Sequence, residues 1–183
     1  TSTRPTATTE SVDRPAGPAA HVGAPLSGGH GIFLGAAGSG PDLAEAGYVE
    51  AEYPVSGTAT SYSALGGLPT DGTYRLSPDA TADYTTRIVV RRPNEARDFD
   101  GTVVVEWLNV SGGVDAAPDY TYLADEILRR GDAWVGVSAQ RIGIEGGPVA
   151  VKAPGAEEQG AGKGLRAIDP ARYGKLHHPG DSF

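Results

Sequence analysis

The most apolar stretch of the chain runs from Gly101 to Gly113, G-T-V-V-V-E-W-L-N-V-S-G-G. Thr102, Val103, Val104, Val105, Trp107 and Leu108 are β-branched, aromatic or aliphatic, and they stand almost without interruption between glycines. That pattern predicts a buried strand in a sheet covered on both faces. The polar end, Asn109-Val110-Ser111-Gly112-Gly113, predicts a site. A parallel strand that ends in glycines and runs on into a helix puts flexible backbone and free N–H groups at the carboxyl edge, where open α/β sheets bind ligands.

Downstream, Pro118 suits a first helical position, and Asp115 to Asp119 supplies the negative charge a helix start favours. Tyr120, Leu123, Ala124, Ile127 and Leu128 fall on one face at helical spacing, Arg129 and Arg130 complement the carboxyl end, and Gly131 is the expected stop. Ala133 to Ala139 reads as another buried strand. Strand, helix and strand with a short return predict a parallel βαβ unit with a right-handed crossover.

Upstream, Tyr48 to Tyr62 alternates apolar and polar positions through Val49, Ala51, Tyr53 and Val55, the half-buried strand pattern, and Pro54 suggests a sheet edge. Gly66 to Asp83 is turn-rich. Tyr84 to Arg91 reads as a second strand, antiparallel to the first. Thr1 to Pro25 has no apolar period and reads as a flexible or extended arm, Leu26 to Gly40 as a glycine-dense loop, and Gln140 to Arg166 as a long loop. No regular period is visible from Ile168 to Phe183.

Composition narrows the partners. With 183 residues, 39% hydrophobic and 21% charged, the chain supports one sizeable core: an arm over residues 1–25 and one domain over 26–183. A net charge of −8 without a Lys/Arg cluster disfavours nucleic acid and anionic membranes. The absence of cysteine removes disulfides, thiolate metal sites and a thiol nucleophile. The chain reads as soluble, with secreted and cytoplasmic locations both open and neither a transmembrane run nor a signal peptide in view.

Several local patterns have plain readings. Gly29-His30-Gly31 with Gly35 brushes against a dinucleotide fingerprint, but it follows no strand and opens no helix, so a surface loop is expected. Gly160-Ala161-Gly162-Lys163-Gly164 fails as a phosphate loop, because Glu157 and Gly164 stand where Gly and Ser/Thr are needed. Asn109-Val110-Ser111 matches a glycosylation sequon in a poor setting. His177 and His178 are adjacent, point to opposite sides of an extended segment, and are read as loop packing rather than metal ligands. Neither a cofactor nor a metal is expected. Glu106, a carboxylate amid valines, must be paired, and Arg141 is the candidate partner for a structural ion pair.

Four ordered blocks carry a family resemblance: Glu106 to Gly113, Ser138-Ala139-Gln140-Arg141-Ile142-Gly143-Ile144, Asp169-Pro170-Ala171-Arg172-Tyr173-Gly174, and His178-Pro179-Gly180-Asp181-Ser182-Phe183. From about Pro25 to Phe183 the chain resembles the amino-terminal part of a bacterial, esterase-like group of α/β-hydrolase-domain proteins. The resemblance implies an α/β fold of the α/β-hydrolase type, with the strands at Tyr48, Tyr84, Gly101 and Ala133 as its first four, the second antiparallel, plus one crossover helix. It also implies that Asn109, Val110, Ser111, Gly112 and Gly113 form the oxyanion-hole loop of a serine hydrolase acting on a small-molecule carboxylic ester. No G-x-S-x-G elbow is found, the contexts of Ser39 and Ser56 being unlike one. The nucleophile, acid and histidine are therefore expected on the carboxyl-terminal remainder of the hydrolase or on a second polypeptide, and this chain alone should be inactive. Two alternatives remain: a non-catalytic binding or structural module on the same scaffold, and a GDSL-type esterase with Ser182 of Gly180-Asp181-Ser182-Phe183 as nucleophile.

Overall fold

A computed structural model describes residues 19–35, 40–152, 156–158 and 160–180. Most of the arm, Ser39 and Ser182 lie outside the described residues. The chain builds one mixed sheet from β1 (His21–Val22), β2 (Tyr48–Ala64), β3 (Leu76–Pro93), β4 (Val103–Trp107) and β5 (Ala133–Val137), in the spatial order β1-β2-β3-β5-β4. β1, β2, β3 and β5 pair antiparallel in turn, and β4 pairs with β5 in parallel. Helix α1 (Pro118–Arg130) makes the crossover between β4 and β5.

The β2–β3 hairpin is longer than its apolar pattern suggests. Pairing continues from Tyr48↔Pro93 out to Ala64↔Leu76, so the second half of the segment expected to be turns is strand. Local polar pairs hold this exposed ribbon, among them Thr58 Oγ1 donating to Asp83 Oδ1 at 2.7 Å and the Ala80 N–H donating to Ser61 Oγ at 3.1 Å. Such cross-strand hydrogen bonds leave no apolar alternation to read. At Pro54 the two-residue β1 pairs along the sheet edge, and the Pro54 carbonyl accepts from the Gly23 N–H at 2.9 Å.

The sheet has two unlike faces. On the inner face Val89, Trp134, Val104 and Leu108 meet Ala117, Tyr120, Ala124 and Ile127 of α1. The Tyr120 and Trp134 rings lie 4.9 Å apart, and the Arg91 guanidinium sits over both. Gly131 ends the helix at φ 78°, as expected. Leu123, assigned to the buried face, is 48% exposed, so the stripe is narrower than the spacing implied.

The outer face corrects a stronger expectation. β4 is an edge strand, and Val103, Val105 and Trp107 are 51%, 61% and 66% exposed. A continuous apolar run predicts burial on both sides. Here burial reaches one side, because α1 covers only the inner face. Register aligns two apolar rows across the outer face, Tyr53–Ile88–Val137–Trp107 and Ala51–Val90–Val135–Val105.

Three short helices occupy segments expected to be irregular: α2 (Arg141–Glu145), α3 (Gly164–Ile168) and α4 (Pro170–Tyr173). Each is too short to show a helical period. Ile144, Leu165, Tyr173 and Leu176 form a second core with Leu26 and Phe33. Among the described residues no helix is long and apolar enough to cross a membrane.

Candidate functional site

The carboxyl ends of β4 and β5 lie side by side, with Trp107 opposite Val137. From there the two strands diverge into the loops Leu108–Asp115 and Ser138–Gln140. This is the edge at which the sequence placed the site. Asn109 and Ala116 exchange backbone hydrogen bonds at 2.9 Å and close the first loop at its base. Inside it the Ser111 N–H donates to Asn109 Oδ1 at 2.9 Å, and the Gly113 N–H to the Val110 carbonyl at 2.8 Å. The loop is also clamped from outside: the Ser111 carbonyl accepts from Ala150 and Val151, and the Gly113 carbonyl from Gly162.

The N–H groups of Asn109, Ser111 and Gly113 are thus committed to the loop itself. Those of Val110 and Gly112 have no acceptor among the described residues. The two glycines differ. Gly113 has φ 80°, and a Cβ there would sit 2.5 Å from Gly162 N and 2.7 Å from Val149 Cγ2. Gly112 has no such φ, and a Cβ on it would meet nothing within 4 Å. Gly113 shapes the loop, and Gly112 faces open space.

Glu106 does not pair with Arg141, whose Nη1 donates instead to the Gly146 carbonyl at 3.2 Å. The Glu106 carboxylate accepts from the Asp119 and Tyr120 N–H groups, both at 2.9 Å, and from Trp134 Nε1 at 3.0 Å. Ala117, at the helix cap, has no side-chain oxygen to offer. A carboxylate from the neighbouring strand takes over that function and meets the positive end of the helix dipole.

Asp115, read as helix-start charge, belongs elsewhere. It is fully buried, with Oδ2 accepting from Ser138 Oγ at 2.5 Å and from Arg87 Nη2 at 3.2 Å. Arg87, also fully buried, reaches Ser138 Oγ through Nε at 3.0 Å and pairs with Glu52. Glu52 in turn accepts from Tyr173 OH at 2.8 Å and from Arg172 Nε at 2.5 Å. Two carboxylates and two guanidinium groups therefore balance in the interior, tying β2, β3 and the Ser138 turn to α4. Burial, with a contribution from Glu52, pushes the Tyr173 hydroxyl up to about 12. Asp169 caps α4 by accepting from the Arg172 N–H at 3.2 Å and holds the glycine-dense loop by accepting from the His30 N–H at 2.6 Å. That His30 bond, more than any other contact, keeps the Asp169 carboxyl below the ordinary aspartate value.

His178 is built into the same edge. Its Nδ1 accepts from the Gly180 N–H at 3.1 Å, so the ring proton is on Nε2, which donates to the Ala139 carbonyl at 3.2 Å. On one side of it opens an apolar cleft of about 340 Å³ over the outer face of the sheet, lined among others by Val55, Ile88, Trp107, Val137 and Ala139. A second, polar cavity of about 350 Å³ lies on the other side, lined by Arg141, Glu145, Arg166 and His177, and His178 and Pro179 line both. His177 pairs through its backbone with Thr85. Among the described residues no group of His, Cys, Asp or Glu is arranged to hold a metal.

Sequence reading missed Arg87, Glu52, Ser138 and Tyr173. One signal was present: Arg87 and Glu52 are charged residues on adjacent strands, Arg87 opposite Pro54 and Glu52 opposite Val89, and both are buried. Ser56 sits within β2 opposite Thr85, not on a strand-to-helix turn. The Gly160–Gly164 segment packs backbone to backbone on Gly113 and Gly147. A family model described as an alpha/beta hydrolase domain matches residues 12–183. No curated protein and no solved structure matches the chain.

Proposed function

The chain belongs to the alpha/beta hydrolase domain family, and from that premise we propose that it forms the oxyanion-hole portion of a serine hydrolase acting on small carboxylic esters. The observation that carries this reading is the loop after β4. It leaves the carboxyl end of the parallel pair, it is clamped by backbone hydrogen bonds, and among the described residues the Val110 and Gly112 N–H groups have no acceptor. Backbone donors held against a developing oxyanion lower the barrier by about 3–4 kcal/mol each. Gly112, open above its Cα, is the better placed of the two. The matching donor is the residue after the nucleophile, as in this fold generally. The serine, acid and histidine are supplied by a further segment of the hydrolase or by a second polypeptide.

The test is made on the assembled hydrolase. Gly112→Val should leave the fold intact and lower turnover, because its side chain fills the open space above the Gly112 N–H that the acyl oxygen must enter. Ser111→Ala should keep most activity, because the loop acts through its backbone. Gly113→Val is not a test of chemistry, since it collides with Gly162. A folded Gly112→Val enzyme with unchanged kcat removes the loop from the mechanism. The 183-residue chain alone should resist labelling by a fluorophosphonate; labelling at Ser182 would transfer the reading to the GDSL type.

A further inference from the structure

The loop after β4 is tied to the sheet by a side chain as well as by its own backbone. Asp115 ends the loop, and its carboxylate turns inward. There Oδ2 accepts from Arg87 Nη2 of β3 at 3.2 Å and from Ser138 Oγ, just past β5, at 2.5 Å. Ser138 is itself fixed, its Oγ accepting from Arg87 Nε at 3.0 Å and its N–H donating to the Arg87 carbonyl at 3.1 Å. One planar guanidinium fork therefore sets Asp115 and Ser138 relative to β3. The other carboxylate oxygen, Oδ1, is buried without a hydrogen-bond partner among the described residues. A buried acceptor left unsatisfied is costly, so the carboxylate is oriented by what Oδ2 requires. Oδ1 lies against Gly143 of α2, where an added Cβ would collide with it. The Gly143 backbone is not left-handed, so what a side chain there would disturb is the carboxylate and not the helix. Asp115 and Ser138 are both fully buried, so neither touches a substrate.

We propose that Asp115 is a positioning residue for the oxyanion loop: Ser138 and Gly143 fix its carboxylate from two sides, and the carboxylate fixes where Val110 to Gly113 stand over the carboxyl edge of the sheet. Its catalytic meaning rests on the hydrolase reading. Two residues separate Asp115 from Gly112, so a tilt of the carboxylate is carried to the Gly112 N–H. Backbone donors serve an oxyanion over a narrow range of distance, and a displacement of about 1 Å can cost about a hundredfold in rate.

Two measurements test this. In the 183-residue chain, hydrogen–deuterium exchange is followed by mass spectrometry in peptides spanning Leu108 to Ala117. Ser138→Ala removes the hydroxyl and keeps every charge, whereas Gly143→Ala pushes on Oδ1 and deletes no polar group. Each should speed exchange in the loop by about tenfold, as the Ser111 and Gly113 amides open more often. Peptides from α1 should keep the parent's rate, which shows that the variants are folded. In the assembled hydrolase both variants should lower kcat by about tenfold with KM within about twofold, since a displaced donor is felt in the transition state. A merely structural role would lower the unfolding midpoint and leave kcat per folded molecule unchanged. Asp115→Asn can place its carbonyl oxygen at Oδ2 and its amide nitrogen where Oδ1 has no partner, so it should recover most of the kcat that Asp115→Ala loses. Loop exchange at the parent's rate in both Ser138→Ala and Gly143→Ala overturns the proposal. So does parent kcat in those two variants when Gly112→Val lowers turnover, an outcome that leaves the hydrolase reading standing. A folded Gly112→Val enzyme with unchanged turnover removes both.

Discussion

Replacing Glu106 should cost far more than the loss of one surface charge, and the structure sets the size. Three N–H donors converge on its carboxylate. Oε1 serves Asp119, while Oε2 serves both Tyr120 and Trp134. Glutamine keeps one oxygen, and its best placement leaves that oxygen with Tyr120 and Trp134. Its NH2 then faces the Asp119 N–H, donor against donor. One charge-assisted bond and the helix-dipole attraction are lost, which together predict a cost of about 2–3 kcal/mol for Glu106→Gln. Alanine abandons all three donors. Tyr120 and Trp134 are buried, so water cannot replace the carboxylate there, whereas Asp119 is exposed. Two stranded buried donors plus a cavity predict about 3–5 kcal/mol for Glu106→Ala. Urea unfolding followed by tryptophan fluorescence and far-UV circular dichroism measures both, at a protein dilution where the midpoint no longer depends on concentration. With a slope of about 2 kcal/mol per molar, the midpoint should fall by about 1–1.5 M for Gln and about 2 M for Ala. A Gln variant within about 0.5 kcal/mol of the parent would refute the capping account.

Three further outcomes follow from other parts of the molecule. Arg87→Met should destabilise by about 3–5 kcal/mol or prevent folding, since it leaves Asp115 buried without a cation and Glu52 with Arg172 alone; denaturant unfolding checks this, and a loss under 1 kcal/mol would contradict it. Tyr173 should ionise well above an ordinary tyrosine. Its folded value of about 12 stands above the usual unfolded one of about 10, so its contribution to stability is complete below pH 10 and is lost as pH rises toward 12. Ultraviolet titration should show a late phenolate that disappears in Tyr173→Phe, and its persistence there would reassign the late group. The outer rows through Trp107 and Val105 should make the isolated chain self-associate. Sedimentation velocity should show Val105→Lys restoring a monomer, and a monodisperse parent at high concentration would oppose this.

What the sequence determined by itself was the local grammar. Pro118, the spacing of Tyr120, Ala124 and Ile127, and Gly131 specify α1 and its end, because capping and helical periodicity act over a few residues. The apolar runs at Val103 and Ala133 with one helix between them specify a parallel pair, and the glycine-ended loop marks the edge where a site should lie. Only the tertiary structure decided which side of those strands is covered: an apolar run records tolerance of burial, and the neighbour that supplies it is set by the packing of α1. Tertiary contact also chose the partners of the buried charges. Glu106 found the helix amides rather than Arg141, and Arg87 joined Glu52 to Asp115 across separations of 35 and 28 residues, which no local pattern encodes. The same holds for the two glycines. Adjacent and identical in sequence, Gly112 and Gly113 differ because one has Gly162 above its Cα and the other has open space, a distinction made by a segment nearly fifty residues downstream.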